Sequence, residues 1–275
     1  MKITAVIIFN LLVLNALSQS ALVKATEKSM RQVNDSLYAH ETEISNRMYS
    51  DFLQELRNNG DTALWRQLQP DSNQWFYIAS NFLISTYHRS EKYADYPVVN
   101  ISQNAARYYC QWLTLHYNRW DERKYKKVIF RLPANDAEWA QAARGLLPFN
   151  AKYPWGKEAF QNHLGAYYCN FNRLVQNPPD TNRAAVNNGI NEIVGRISRG
   201  AFLLCPVKSF APNSIGLYNM CGNIAEMLEL EKRTKGGGWD SDSKFMSINA
   251  LDEYNGKTTP NPYTGFRVFM QVIEK

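Results

Sequence analysis

Motifs that bind transition metals or carry redox chemistry are scarce in this chain of 275 residues. It has four cysteines and no Cys-x-x-Cys, so a redox dithiol or a structural zinc site has no support. It has four histidines and no His-x-x-x-His pair: His40, His88, His116 and His163 are far apart in sequence. Local spacing therefore indicates no catalytic metal centre.

Long apolar runs, repeats, low-complexity segments and linkers are also missing after the first eighteen residues. A membrane-spanning helix needs about 20 apolar residues, so no transmembrane span is expected there. Hydrophobic residues make up 45% and aromatics 13% of the chain, which excludes a disordered polymer. We expect a single domain over residues 19–275. Basic residues cluster only between Arg119 and Arg131, which we interpret as a solvated loop and not as a nucleic-acid surface.

The first eighteen residues have the form of a secretory signal peptide. Lys2 precedes a short apolar stretch that ends in Ala16-Leu17-Ser18, with cleavage expected before Gln19. An uncleaved membrane anchor is the alternative. We therefore expect an exported protein, periplasmic or extracellular. The first cysteine is Cys110, so a lipid-bearing cysteine near the cleavage point is not expected.

Cysteines of an exported chain are able to pair, and four thiols allow three full connectivities. Cys110 lies in a predicted helix and Cys221 in an oxygen-rich loop, whereas Cys169 and Cys205 have strand-like neighbours. A Cys169–Cys205 disulfide is the pairing we favour if one forms. Four buried thiols are the alternative.

Hydrophobic periodicity predicts a mixture of helices and short strands. Helices are expected over residues 45–60, 61–69 and 102–113, and another after the capping-box sequence 135–138. Residues 37–44 and 128–133 are expected to be extended. From residue 146 onwards no helical period persists, and Gly, Pro and Asn are frequent. The fold class expected is therefore α+β with a loop-rich second half.

An oxygen-rich loop lies within the run from Val207 to Glu226. The side chains of Asn219 and Glu226, with the backbone around Gly222 and Ile224, can gather oxygens at a spacing that suits a hard cation such as calcium. The alternative is a helix-like turn in which backbone amides cap Glu226.

Eight segments, in order, resemble the formylglycine-generating-enzyme family, also known as the sulfatase-modifying-factor domain. Phe130-Arg-Leu-Pro-Ala-Asn-Asp-Ala-Glu-Trp-Ala-Gln-Ala-Ala-Arg-Gly145 is the most specific of them. The others are residues 41–53, 96–113, 153–156, 169–171, 207–226, 235–240 and 265–268. The resemblance implies that family's loop-rich variant of the C-type-lectin-like fold.

The resemblance also implies calcium ligands. The family's loop corresponding to residues 219–226 binds a structural calcium through the side chains at Asn219 and Glu226 and the carbonyls at Gly222 and Ile224. A second family calcium uses the places of Asn170 and Phe171 and a later acidic residue. That acid has no counterpart among residues 199–202, and Asp180 is the substitute we consider.

Copper is not expected, because the thiolates that hold it in oxidase members of the family are missing. Copper(I) prefers soft sulfur ligands. The two matching positions are Ser241 and Met246, so formylglycine generation is not expected. Another branch of the family holds non-haem iron with a histidine cluster, for which the sequence shows no pattern.

The same region contains a candidate pocket formed by Trp155, Trp239, Asp240, Ser241 and Arg267. The carboxylates of Asp240-Ser-Asp-Ser243 suit an acid–base pair or a weak cation site, but a solvated loop is favoured. Arg267 is expected to form a buried hydrogen-bond fork. Both tryptophans are expected in the core rather than as a binding platform.

These observations favour an exported, non-catalytic member that acts as a calcium-stabilised binding or scaffold module for a protein or glycan partner in the cell envelope. Residues 206–213 loosely resemble non-enzymatic relatives in bacterial gliding and type IX secretion machinery. Two alternatives stay open. One is a metal-dependent oxidoreductase with a rebuilt site around Asp240, Ser241 and a histidine. The other is a glycan-binding module that uses Trp155 and Trp239.

Overall fold

A computed structural model describes residues 20–77, 81–172, 204–257 and 259–275 of the chain. The predicted signal peptide, residues 199–202 and Asp180 lie outside these ranges. Within them, no helix has the length and apolar character needed to cross a membrane.

Helices fill the first half of the described chain, and short strands with long loops fill the second. Residues 20–29 form α1, and the later helices are α2 (Asn46–Asn58), α3 (Thr62–Gln67), α4 (Asn81–Thr86), α5 (Gln103–Arg119) and α6 (Asp136–Arg144). The strands are β1 (Met30–Gln32), β2 (Leu37–His40), β3 (Lys127–Arg131), β4 (Ala225–Met227), β5 (Thr234–Lys235), β6 (Thr264–Gly265) and β7 (Phe269–Glu274). The α+β class predicted from the sequence is confirmed.

The helix ends follow the predicted capping residues. Ser45 accepts a hydrogen bond from the Met48 amide at 3.3 Å, and Asn135 accepts one from the Glu138 amide at 3.0 Å. The reciprocal half of the capping box is not formed, because the Glu138 carboxylate binds both terminal nitrogens of Arg131, at 2.6 and 2.7 Å. Glu138 Oε2 also accepts from the amide of Ala134, the residue before the cap, so the carboxylate holds the start of the helix without bonding the Asn135 amide.

Two sheets organise the chain. The first is antiparallel in the order β1-β2-β7-β3, and α2 and α5 pack on it through a large hydrophobic core that includes Phe52, Leu113 and Phe266. In the second, β4 runs antiparallel to β5 and parallel to β6. A second core places α6 against the loops around β4. Glu226 on β4 and Arg267 after β6 therefore meet between the two sheets.

Candidate functional site

The centre of the site is a buried ion pair between Arg267 and Glu226. Arg267 Nε and Nη2 lie 2.9 and 2.7 Å from Glu226 Oε1, and both side chains are fully buried. Trp139 Nε1, from α6, donates to Glu226 Oε2 at 2.7 Å. Arg267 Nη1 donates to the His40 carbonyl at 2.8 Å, and Nη2 also donates to the Tyr218 carbonyl at 2.6 Å. This is the fork predicted for Arg267, and side chains rather than backbone amides fill the acceptors of Glu226.

A second buried carboxyl, Glu43, lies beside this pair and holds the oxygen-rich loop. Its two oxygens accept from Asn223 Nδ2 at 2.9 Å and Asn219 Nδ2 at 3.1 Å. Desolvation outweighs the attraction of Arg267 and raises the pKa of Glu43 to about 8, with a further upward contribution from Glu226. With a pKa of about 8, the Glu43 carboxyl is mostly protonated at neutral pH. The sequence analysis did not single it out, although it lies in the matched segment 41–53.

The loop from Asn219 to Glu226 folds tightly because three of its residues have left-handed backbones. Asn219, Gly222 and Asn223 have φ of 51°, 78° and 66°. At Gly222 a Cβ atom would lie 2.2 Å from the carbonyl oxygen of Asn170, so only glycine fits. Of the predicted ligands, Asn219 and Gly222 therefore lie in this tight loop, whereas Glu226 lies on β4.

One oxygen in this loop has the character of a metal ligand. Asn219 Oδ1 is buried and has no hydrogen-bond partner. Asn219 also lines a cavity of about 20 Å³, which holds roughly one water-sized atom. Glu226, by contrast, already accepts hydrogen bonds from Arg267 and Trp139. Asn219 therefore keeps a side-chain oxygen that a calcium ion could use, whereas both oxygens of Glu226 are engaged.

Asn170 and Phe171 lie against the same loop. The carbonyl of Asn170 accepts from the Asn223 amide at 2.8 Å. Phe171 is buried, with its ring centroid 4.9 Å from that of Phe160. The two predicted calcium loops are therefore neighbours. The acidic ligand expected for the second calcium lies outside the described residues.

The two positions matched to the copper thiolates meet around Gly237. A Cβ atom on Gly237 would lie 2.2 Å from Met246 Cε and 3.3 Å from Ser241 Oγ. Both side chains are fully buried, and Ser241 Oγ accepts from the Gly238 amide at 2.8 Å. A hydroxyl bound to backbone and a thioether do not supply two thiolates. Of the two side chains only the Met246 thioether is a soft ligand, so the two-thiolate copper(I) site of the family's oxidase members does not fit here.

Asp240 lies next to Ser241 but faces a different partner from Asp242. Tyr254 donates its phenolic hydrogen to Asp240 Oδ1. Burial raises the pKa of Asp240 to about 7, and the nearby Glu253 raises it further, whereas the Tyr254 bond opposes the shift. Asp242 accepts from the Lys244 amide at 3.1 Å and caps a turn. The acid–base pair considered for this segment is therefore not assembled from Asp240 and Asp242.

The two candidate tryptophans are packed in separate clusters. Trp155 stacks with Tyr153 at 4.7 Å and Tyr168 at 5.6 Å, and its Nε1 donates to the Ala159 carbonyl at 2.9 Å. Trp239 is 6% exposed and donates to the Pro262 carbonyl at 3.0 Å. The structure therefore does not bring them together as one binding platform.

The cysteines form no disulfide bond in this structure, and all four lie in described segments. The Cys169–Cys205 pairing, favoured if a bridge forms, therefore stays a prediction. Cys169 lies close enough to Cys221 to add to the raised pKa that burial gives the Cys221 thiol, whereas the Cys205 amide donates to Asn223 Oδ1 at 2.8 Å. The four cysteines are described by the alternative, thiols in or near the core.

The histidines also stay apart. His40 Nδ1 is hydrogen-bonded to the Thr42 carbonyl at 2.9 Å, and His88 Nδ1 to Asn46 Oδ1 at 3.0 Å. His116 Nε2 lies 2.7 Å from Glu55 Oε1. In the described ranges no three His, Cys, Asp or Glu side chains are placed to hold one metal ion. A histidine-centred metal site beside Ser241 is therefore not assembled from these residues.

Comparison with known proteins identifies a family for this chain. Residues 18–272 match the Sulfatase-modifying factor enzyme 1-like domain. The formylglycine-generating enzyme of Thermomonospora curvata is 34% identical over 132 residues, which is 48% of this chain and 32% of the relative. The inactive C-alpha-formylglycine-generating enzyme 2 of Bos taurus is 30% identical over 133 residues, again 48% and 32%. The match thus spans about a third of the length of these curated relatives.

The solved structure of Treponema denticola variable protein 1 has a similar fold. It superposes with a TM-score of 0.50 at 16% identity, covering 88% of this chain and 91% of that one. Identity this low supports the fold alone.

Proposed function

This chain belongs to the family of Sulfatase-modifying factor enzyme 1-like domains, and we propose that within it the chain is a non-catalytic binding or scaffold module. The observation that carries the proposal is the pair Ser241 and Met246. They occupy the two positions matched to thiolates and are buried side by side around Gly237. The relatives include an enzyme and a protein named inactive, so the family accommodates both roles.

The proposal is that the scaffold survives while the chemistry is lost. The buried Arg267–Glu226 pair, the Trp139 bond and Glu43 connect α6, β4 and the oxygen-rich loop through side chains. None of these contacts needs sulfur at residues 241 and 246. A fold stabilised by these contacts keeps a stable surface on which a partner binds. By the sequence expectations, that partner is a protein or glycan of the cell envelope and the chain is exported, periplasmic or extracellular.

Calcium is the metal we propose for the oxygen-rich loop. Asn219 offers a buried oxygen that lacks a hydrogen-bond partner, beside a hollow of about one atom. When bound, calcium would attract the oxygen ligands of the loop through its positive charge and hold the loop in one conformation. The carbonyls of Gly222 and Ile224 are the further ligands we propose, with Glu226 already neutralised by Arg267.

Thermal unfolding tests the calcium proposal, because a ligand that binds the folded state alone stabilises that state. At calcium concentrations near a hundred times Kd, the gain is about 2.7 kcal/mol, or roughly 5–10 °C for a domain of this size. Adding a chelator should lower the melting temperature accordingly. Asn219→Gly removes the side chain and keeps the left-handed backbone, so it should abolish the chelator effect. Gly256→Ala, far from these ligands in sequence, serves as the control.

Metal analysis of the purified protein tests the wider proposal. Calcium without copper or iron supports a binding module. Stoichiometric copper or iron contradicts it and supports the alternative, an oxidoreductase with a rebuilt site. An unchanged melting temperature with excess chelator, in both the unmodified protein and Asn219→Gly, contradicts the calcium site alone.

A further inference from the structure

A cavity of about 550 Å³ opens beside α2. Its lining includes neither the Arg267–Glu226 pair, nor Asn219, nor Ser241 and Met246. Gln54 and Arg57 from α2, Trp65 from α3, Gln69 and Ser72 after α3, and Arg89 after α4 are part of its lining. We call it the α2 cavity. Its volume lies in the range of small-molecule sites, about 300–1,000 Å³.

The α2 cavity is positively charged. Arg57 and Arg89 line it, and no Asp or Glu does. Across the described ranges, neither arginine forms an ion pair, whereas Arg47 on the same helix pairs with Glu91. His88, which also lines the cavity, carries no charge at neutral pH, since desolvation and the adjacent Arg89 lower its pKa to about 3. Two cations in a concave wall focus positive potential and attract an anion.

The rest of the lining suits a sugar. The Trp65 ring is half-buried and has the Arg57 guanidinium 5.6 Å from its centroid, so the aromatic wall and one cation are adjacent. Gln54 and Gln69 each use their Nε2 in a local bond, to Asn58 at 2.8 Å and to the Trp65 carbonyl at 3.1 Å. Their carbonyl oxygens remain as acceptors for hydroxyl groups. Guanidinium groups prefer carboxylate or sulfate oxygens, which they bind with two parallel hydrogen bonds.

We propose that the α2 cavity binds an acidic saccharide, with its carboxylate or sulfate group held by Arg57 and Arg89 and a sugar ring against Trp65. The inference rests on the proposed role as a binding module and names the chemistry of the partner. It uses none of the residues of the calcium loop or the pair around Gly237.

Titration calorimetry with tri-galacturonate tests the proposal, with neutral maltotriose and sodium sulfate as comparison probes. Tri-galacturonate should bind, and maltotriose and sulfate should each bind at least tenfold more weakly. Arg57→Gln and Arg89→Gln should each weaken tri-galacturonate binding about tenfold or more, and Trp65→Leu should do the same. Arg66→Gln is the matched control, because Arg66 is exposed on α3 beside Trp65 and is absent from the cavity lining.

Several results would overturn the proposal. They are no binding of tri-galacturonate at millimolar concentration, equal binding of maltotriose, sulfate binding as tight as that of the saccharide, or full binding by Arg57→Gln and Arg89→Gln. Since Arg57 and Arg89 are exposed, both variants should keep the thermal melt of the unmodified protein, which separates lost binding from lost folding. If saccharide binding fails while the chelator effect persists, this inference alone is wrong.

Discussion

The Arg267–Glu226 pair allows the most quantitative test of how the scaffold is held together. Arg267→Met removes a guanidinium that satisfies Glu226 Oε1 and the carbonyls of His40 and Tyr218. Removing one partner of a buried ion pair leaves the other charge uncompensated and costs about 3–5 kcal/mol. Each buried carbonyl that loses its hydrogen-bond donor adds about 1 kcal/mol. We expect a loss of about 5 kcal/mol or more in the free energy of unfolding, measured by urea denaturation followed by tryptophan fluorescence.

A loss of this size approaches the total stability of many domains, about 5–15 kcal/mol, so milder variants are needed beside it. Arg267→Lys keeps the charge but lacks the fork, and should lose about half as much. The double variant Arg267→Met, Glu226→Gln should recover at least about 1 kcal/mol, because no buried charge is then left alone. Arg66→Met is the surface control, expected within about 0.5 kcal/mol. If Arg267→Met costs less than about 1 kcal/mol, or the double variant shows simple addition, the pair does not hold the scaffold.

Three further predictions concern pH and backbone. Desolvation, with Arg267 nearby, lowers the pKa of His40 from 6.5 to about 4. The unfolded chain therefore binds more protons at His40 in this window, so acidification through it should cost roughly 3 kcal/mol, measured by urea titration in a Glu43→Gln background that removes the opposite contribution of Glu43. For Glu43, whose pKa rises from 4.5 to about 8, the folded chain binds more protons, so stability should fall as pH rises through that range. Glu43→Gln should flatten this decline of stability between pH 4.5 and about 8. An unchanged slope would contradict the role given to Glu43. Gly222→Ala should lower the free energy of unfolding by more than about 2 kcal/mol, because the added Cβ would meet the backbone of Asn170. Gly256→Ala is the control: its φ is 87° and no atom lies within 4 Å of the added Cβ, so it should cost about 1 kcal/mol. Equal losses in the two variants would refute the packing argument.

Features set by short stretches of sequence were predicted well. The caps at Ser45, Ser102 and Asn135 each accept the amide three residues later, because such a contact depends only on local residue types. The fork of Arg267 was also anticipated, from a buried arginine in Gly-Phe-Arg. The caps need no knowledge of distant chain segments, whereas for Arg267 the sequence predicted a buried fork but not its partners Glu226, His40 and Tyr218.

Contacts between distant segments were beyond the sequence. Glu43 meets Asn219 and Asn223 across separations of 176 and 180 residues, and no local period encodes such a meeting. The sequence also does not show that the fold brings Cys221 close to Cys169. Residue type alone also did not show that the Glu138 carboxylate would bind Arg131 and leave the Asn135 amide of the capping box unbonded to it. Pairing of this kind is decided by tertiary packing.

The absence of chemistry at Ser241 and Met246 is the central claim, and a copper-dependent turnover assay tests it most directly. Purified protein, loaded with copper(I) under air, is incubated with a cysteine-containing peptide, and mass spectrometry follows conversion of the cysteine to an aldehyde. The account predicts no conversion above the level of copper without protein. Conversion that depends on both copper and protein, and repeats over many turnovers, would contradict it.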